Sequence, residues 1–190
     1  MKTVLYFFHG KIARFSRVFG EWGKKKAVTD LMRKEWITMN KIKAQDIADM
    51  IDHSLLNPTF TLEEIKRGCE IAKEYKCISV CLRPCDVEFA SEILKGSDVL
   101  ITTVIGFPHG SNLTEVKVFE TKKAIEQGCV EVDVVLNIGR LLSGDYEYVE
   151  KDLKAVVDAA HEKGVVVKVI FENAYLTDEQ KLKACEICTR

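Results

Sequence analysis

From Met39 onward, apolar positions fall into two alternating rhythms, short β-branched runs and longer stretches with helical spacing. A helix is predicted over Lys43 to Met50, followed by an extended segment, Ile51 to Leu56, which Asn57-Pro58 terminates. Thr61-x-x-Glu64 reads as a capping box, with Leu62, Ile65, Cys69 and Ala72 forming an inward stripe to about Tyr75. Ile78 to Leu82 is a strand stopped by Arg83-Pro84, and Asp86 to Leu94 a helix with Gly96 beyond it. Leu100 to Phe107 is the next strand. Asn112-x-x-Glu115 predicts the start of a helix running through Gln127, with Val116, Phe119 and Ile125 facing inward and Gly128 ending it. Lys117 and Glu120 to Lys123 read as the solvated face of that helix. A strand from Val130, a helix from Tyr146 to Lys163, a strand over Val165 to Glu172 and a last helix opened by Thr177-x-x-Gln180 complete the pattern.

Two residues break the apolar runs. Stripped of its charges, the Val130 to Gly139 segment reads as a parallel strand covered on both faces, yet Asp133 sits in the middle of it. A carboxylate there needs a cation, a hydrogen-bond network or a chemical task. Lys168, in V-V-V-K-V-I-F-E, lies in equally apolar company on the following strand. Successive strands of βαβ units are commonly neighbours, so ammonium and carboxylate are expected to face each other. The residues alone leave a structural ion pair and a functional pair evenly matched, because both perturb pKa values. Glu172 is expected either to pair with Lys168 along one strand face or to face solvent.

Composition narrows the classes. The chain has 190 residues, 47% hydrophobic and 30% charged, as expected of one well-buried globular domain. Its net charge of −1 hides a basic first 38 residues and an acidic remainder, and no basic stripe after residue 38 invites nucleic acid. No apolar stretch approaches the roughly 20 residues of a membrane-spanning helix. The seven cysteines are odd in number and partly buried in helix and strand patterns, which predicts reduced thiols in the cytoplasm. Cys185-x-x-Cys188 falls inside a helix and is expected to be structural, and no histidine completes a zinc set. Residues 1–38 are marginal as a secretory signal and fit an organellar transit peptide in part, and the preferred expectation is a non-native or disordered extension, with the regular domain over 39–190.

Five strands, each followed by a helix, describe a small doubly wound sheet or part of a (β/α)8 barrel, and local pattern leaves both open. Polar residues at the expected C-terminal ends of the strands (Asp52, Arg83, His109, Asn112, Asn137 and Glu172) favour a barrel-type site, and no glycine-rich phosphate loop follows the first strand. The motifs themselves then become informative. Ile51-Asp52-His53-Ser54-Leu55-Leu56-Asn57-Pro58, Ser79-Val80-Cys81-Leu82-Arg83-Pro84, Thr103-Val104-Ile105-Gly106-Phe107-Pro108-His109-Gly110, Thr114-Glu115-Val116-Lys117, Glu131-Val132-Asp133-Val134-Val135 and Lys168-Val169-Ile170 resemble, in order, the deoxyribose-phosphate aldolase family.

That resemblance implies an α/β (β/α)8 TIM barrel, cut here to about its first five βα units. It also implies a metal-free and cofactor-free class I aldolase acting on a small phosphorylated sugar in the cytoplasm, with a homo-oligomer among the expected partners. Asp133 matches the family's proton-relay aspartate, Lys168 a supporting site lysine, and Asp52 and Cys81 residues lining the substrate. The family's imine-forming lysine lies on a later strand in a K-T-S-T-G context that is absent here, so the chain as written is expected to be inactive. The other expectation is a non-catalytic half-barrel that acts by association.

Overall fold

The computed structural model describes residues 43–189; the expectation for residues 1–38 lies outside them. A short helix α1 (Ala44–Ala48) leads into β1 (Asp52–Leu55), and four further βα steps follow. These are α2 (Leu62–Tyr75), β2 (Ser79–Leu82), α3 (Val87–Leu94), β3 (Leu100–Ile105), α4 (Thr114–Glu126) and β4 (Glu131–Val135), then α5 (Ile138–Leu142), α6 (Tyr146–His161), β5 (Val166–Ile170) and α7 (Asp178–Cys188). The strands are all parallel and lie in sequence order, β1-β2-β3-β4-β5. A doubly wound sheet reverses its strand order at a switch point, and this one does not. The sheet is an arc of a (β/α)8 barrel.

Alternation along the strands separates two faces. Leu55, Val80, Leu82, Ile105, Val132 and Val134 are buried on the face that meets Ile65, Cys69, Ala72, Val87, Ala90 and Val156 from the helices, in one continuous core. Each Val, Leu or Ile among them contributes about 1.5–3 kcal/mol by leaving water. The opposite face carries Asp52, Ser79, Cys81, Thr102, Glu131, Asp133 and Lys168, placed by a register that pairs Asp52 with Ser79, Cys81 with Thr102, Thr102 with Glu131, and Asp133 with Lys168. The fourth strand is therefore not apolar on both sides. It alternates, and its charges share one face.

The helix starts at Thr61 and Thr177 are full capping boxes, as expected. Leu62, however, is exposed, since its position in the first turn of α2 turns it away from the sheet. Helix α4 departs further. Leu113, not Asn112, is its N-cap, and no side chain caps it. Its inward stripe is Lys117, Thr121 and Ala124, while Val116 and Phe119 are exposed and Ile125 is half-buried. Counting apolar residues set the phase wrongly because the helix buries a lysine, whose stem packs inward and whose ammonium finds Asp152. Only Lys122 and Lys123 of the supposed solvated face are exposed; Glu120 is half-buried. Helix α5 was not anticipated. Asn137 is its N-cap, accepting a hydrogen bond from Arg140 N at 3.1 Å, and so ends β4 instead of serving the site.

Candidate active site

Lys168 is the hub of the polar face. Its ammonium lies 2.8 Å from Glu131 Oε1, 3.2 Å from Asp52 Oδ2 and 3.2 Å from Asp133 Oδ1, and the residue is 2% exposed. The expected Asp133–Lys168 pair thus exists, with two more carboxylates around it. Burial alone drives a lysine toward its neutral form, but here Asp133, Glu131 and Asp52 together outweigh it and hold the ammonium above its ordinary value. Lys168 stays charged.

Asp133 behaves in the opposite way. Burial pushes its carboxyl from 3.8 up to about 7, against the pull of Lys168 and with the help of its acidic neighbours Asp52 and Glu131. Its Oδ1 is buried and accepts no hydrogen bond, since the approach of Lys168 is close in distance and poor in direction. Asp52 is differently placed, because Ser79 Oγ donates to its Oδ1 at 2.8 Å, Thr102 Oγ1 lies 3.1 Å from the same oxygen, and Lys168 donates to Oδ2. Its hydrogen bonds fix its orientation. Asp52 opens β1 and does not close it, so it reaches the site from the strand's amino end.

Asp52 and Asp133 of this cluster line a cleft of about 790 Å3 whose walls include Ser54, Leu56, Phe107, Pro108, Ile170 and Glu172. Cys81 is part of the floor, its thiol raised well above its ordinary value by burial and then by Asp52 and Asp133. It is a neutral wall, not a nucleophile. Glu172 stands beyond the end of β5 in a left-handed conformation, φ 51°, and lines the cleft. Arg83 also borders the cleft, but its guanidinium is occupied: it donates to the carbonyls of Asn57, Pro58 and Phe60 at 3.1–3.2 Å and to Asp86 at 2.6 Å. His109 and Asn112 are exposed and not among the cleft residues. Asp52, Cys81 and Asp133 set two carboxylate oxygens and a sulfur within 4.8 Å of one another, a donor set that could in principle hold a metal. The Lys168 ammonium already supplies positive charge to both carboxylates, so a metal ion would meet like charge there.

Sequence reasoning missed Glu131, Ser79 and Thr102. The signal was the strict alternation in Glu131-Val132-Asp133-Val134 and Ser79-Val80-Cys81, which places every polar member on one face.

All seven cysteines are free thiols. No helix among the described residues is long and apolar enough to cross a membrane.

Residues 42–186 match the model of the DeoC/LacD family aldolases. The chain is 56% identical over 146 residues to a deoxyribose-phosphate aldolase of Clostridium perfringens, covering 77% of this chain and 65% of that protein. It is 51% identical over 158 residues to the corresponding enzyme of Caldanaerobacter subterraneus subsp. tengcongensis, covering 83% and 66%. Among solved structures, the tetrameric deoxyribose phosphate aldolase of Aeropyrum pernix superposes with a TM-score of 0.73 at 30% identity, over 80% of this chain and 64% of that one. The chain spans about 65% of the length of the curated relatives it matches. With the family model covering most of the chain and the sheet forming the same barrel arc, this protein belongs to the DeoC/LacD family of aldolases.

Proposed function

We propose that this chain carries the proton-handling and substrate-lining part of a class I deoxyribose-phosphate aldolase, which cleaves 2-deoxy-D-ribose 5-phosphate to acetaldehyde and glyceraldehyde 3-phosphate in cytoplasmic deoxyribonucleotide breakdown. The observation that carries this reading is Asp133: a buried carboxylate with an oxygen free of hydrogen bonds, raised to about 7 at the floor of a cleft. A group with that value can both take and give a proton near neutrality. In a retro-aldol step a base removes the proton from the C3 hydroxyl, the C2–C3 bond breaks, and its electron pair flows into a C1 iminium to leave an enamine. The enamine carbon then takes a proton. Asp133 suits both transfers, with Asp52 oriented toward substrate hydroxyls by Ser79 and Thr102.

Lys168 does not form the imine in this reading. A protonated amine is no nucleophile, and three carboxylates hold this one protonated. The other buried lysine among the described residues, Lys117, is ion-paired to Asp152. The 190 residues by themselves are accordingly expected to be inactive, and the imine lysine to come from a segment such as the relatives carry in their additional length. The test is a chimera of this chain with the remaining carboxy-terminal part of the Clostridium perfringens relative. Deoxyribose 5-phosphate cleavage by the chimera, with none by the 190-residue chain, supports the reading; a silent chimera that folds rejects it.

The edges of the described sheet favour one alternative. β1 and β5 each pair with a single neighbour, and an unpaired strand edge is a template for another chain. A non-catalytic half-barrel acting by association, including a homo-oligomer, would show as a concentration-dependent mass in sedimentation with no gain of activity in the chimera.

A further inference from the structure

A second buried charged cluster lies behind the cleft, on the helix side of the sheet. Lys117 of α4 is 0% exposed and Asp152 of α6 is 1% exposed; their Nζ–Oδ2 separation is 2.6 Å. Thr114 Oγ1 donates to Asp152 Oδ1 at 2.8 Å, and Lys117 Nζ donates to the carbonyl of Val135 at 3.0 Å. Val135 is the last residue of β4, two beyond Asp133.

The same lysine meets the loop after β3. A Cβ on Gly106 would lie 2.9 Å from Lys117 Cε, and Gly106 N donates to Glu120 Oε2 at 2.8 Å. Gly110 closes the loop by donating to the Gly106 carbonyl at 2.8 Å, and a Cβ there would lie 2.0 Å from the Leu136 carbonyl oxygen. Both glycines have positive φ, 63° and 66°, so the loop that presents Phe107 and Pro108 to the cleft fits only in this seat. One lysine therefore packs its methylene stem against Gly106 of the cleft loop and sets its ammonium on the exit of the strand that bears Asp133.

We propose that the Lys117–Asp152 pair is a positioning device for Asp133, fixing the carboxy end of β4 against the Gly106–Gly110 loop so that the carboxylate keeps its depth in the cleft. The proposal rests on Asp133 being the proton carrier. Packing alone does not call for this pair. Two apolar side chains of like volume fill such a space at similar or better stability, but they cannot donate a directed hydrogen bond to the Val135 carbonyl.

The test uses the 190-residue chain and needs no turnover. Asp133 is followed by carbon-13 NMR of its carboxyl in the parent and in the double variant Lys117→Met/Asp152→Leu, which removes both charges together. Asp52, Glu131, Lys168 and Cys81, the groups that face Asp133, are untouched in every variant. The expected result is a cooperatively folded double variant in which the Asp133 midpoint falls from near 7 by about one pH unit or more as water reaches a loosened strand end. The amide signals of Gly106, Gly110 and Leu136 move with it. A control variant, Lys154→Ala, breaks an exposed pair with Asp158 on the same helix and leaves the midpoint in place. An unchanged midpoint in the folded double variant overturns the proposal and leaves the pair a packing feature. Should the double variant not fold, Thr114→Val, which removes only the hydroxyl on Asp152, is read the same way: a smaller fall supports the proposal and no fall overturns it. Because the readout is a titration, a failed aldolase assay in the chimera would strike the catalytic reading and leave the positioning result to stand or fall by itself.

Discussion

Replacing Asp133 by Asn should make the protein more stable, and more so at higher pH. Asp133 titrates at 3.8 in an unfolded chain and at about 7 in the fold. Between those values the folded state binds the extra proton, so stability is greatest below the unfolded value and is lost as pH rises through the folded one. With 1.36 kcal/mol per pH unit, the full cost of ionising Asp133 in place is ~4 kcal/mol above pH 7, of which roughly 1.5 kcal/mol has already accrued at pH 5. Asparagine stays neutral throughout, and Lys168 keeps Asp52 and Glu131 as partners. The unfolding free energy of the parent should therefore fall by ~2.5 kcal/mol relative to Asp133→Asn between pH 5 and pH 8. Urea denaturation of both proteins across that range, at constant ionic strength, measures this for Asp133 together with the Asp52, Glu131 and Lys168 charges it faces, since titrating groups outside that cluster move both curves alike. Parallel curves would mean that Lys168 keeps Asp133 ionised at an ordinary value, and the case for a carboxylate poised near neutrality would collapse.

Other expectations follow from the same geometry. In the active chimera, Asp133→Asn should lower kcat about 100-fold or more while KM changes little, as for loss of a positioned acid–base group; equal kcat would leave Asp133 a structural partner only. Borohydride reduction of the 190-residue chain with acetaldehyde should leave no stoichiometric adduct on Lys168 by peptide mass mapping, and efficient labelling there would overturn its assignment as a charged support. Arg83→Met removes three carbonyl contacts from the Asn57–Phe60 turn and leaves buried Asp86 without its guanidinium, so thermal unfolding should show a loss of about 2 kcal/mol.

The elements were readable because their ends are marked by local chemistry. Thr61 and Thr177 satisfy the first amides of their helices whatever lies around them, and Gly128 and Gly164 take positive φ, 106° and 71°, where the helices before them stop. Faces were harder. Helix α4 shows why: its orientation is set by an ion pair to a residue 35 positions away, and nothing near Lys117 in sequence announces Asp152. Glu131 was hidden differently, by treating Asp133 as an interruption of an apolar strand when the whole strand alternates. The motifs identified the family, but Arg83 and Asn137, which sit in or beside them, turned out to secure a turn and a helix.

Lys117 and Lys168 are chemically identical and almost equally buried, so burial cannot by itself distinguish their roles. Their partners do. Asp152 matches the charge of Lys117 one for one, and a second donor of the same ammonium goes to the Val135 carbonyl. Lys168 faces three carboxylates, and a buried cluster with two surplus negative charges is unstable unless a proton joins it. Asp52 holds its orientation through Ser79 and Thr102, and Glu131 lies nearest the ammonium at 2.8 Å. Asp133 is the most deeply buried of the three side chains and carries the oxygen without a hydrogen bond, so the extra proton settles there. The surplus of charge around Lys168 thus favours a charged lysine and a protonated aspartate side by side, which is the division of labour that the proposed reaction asks of them at a substrate hydroxyl.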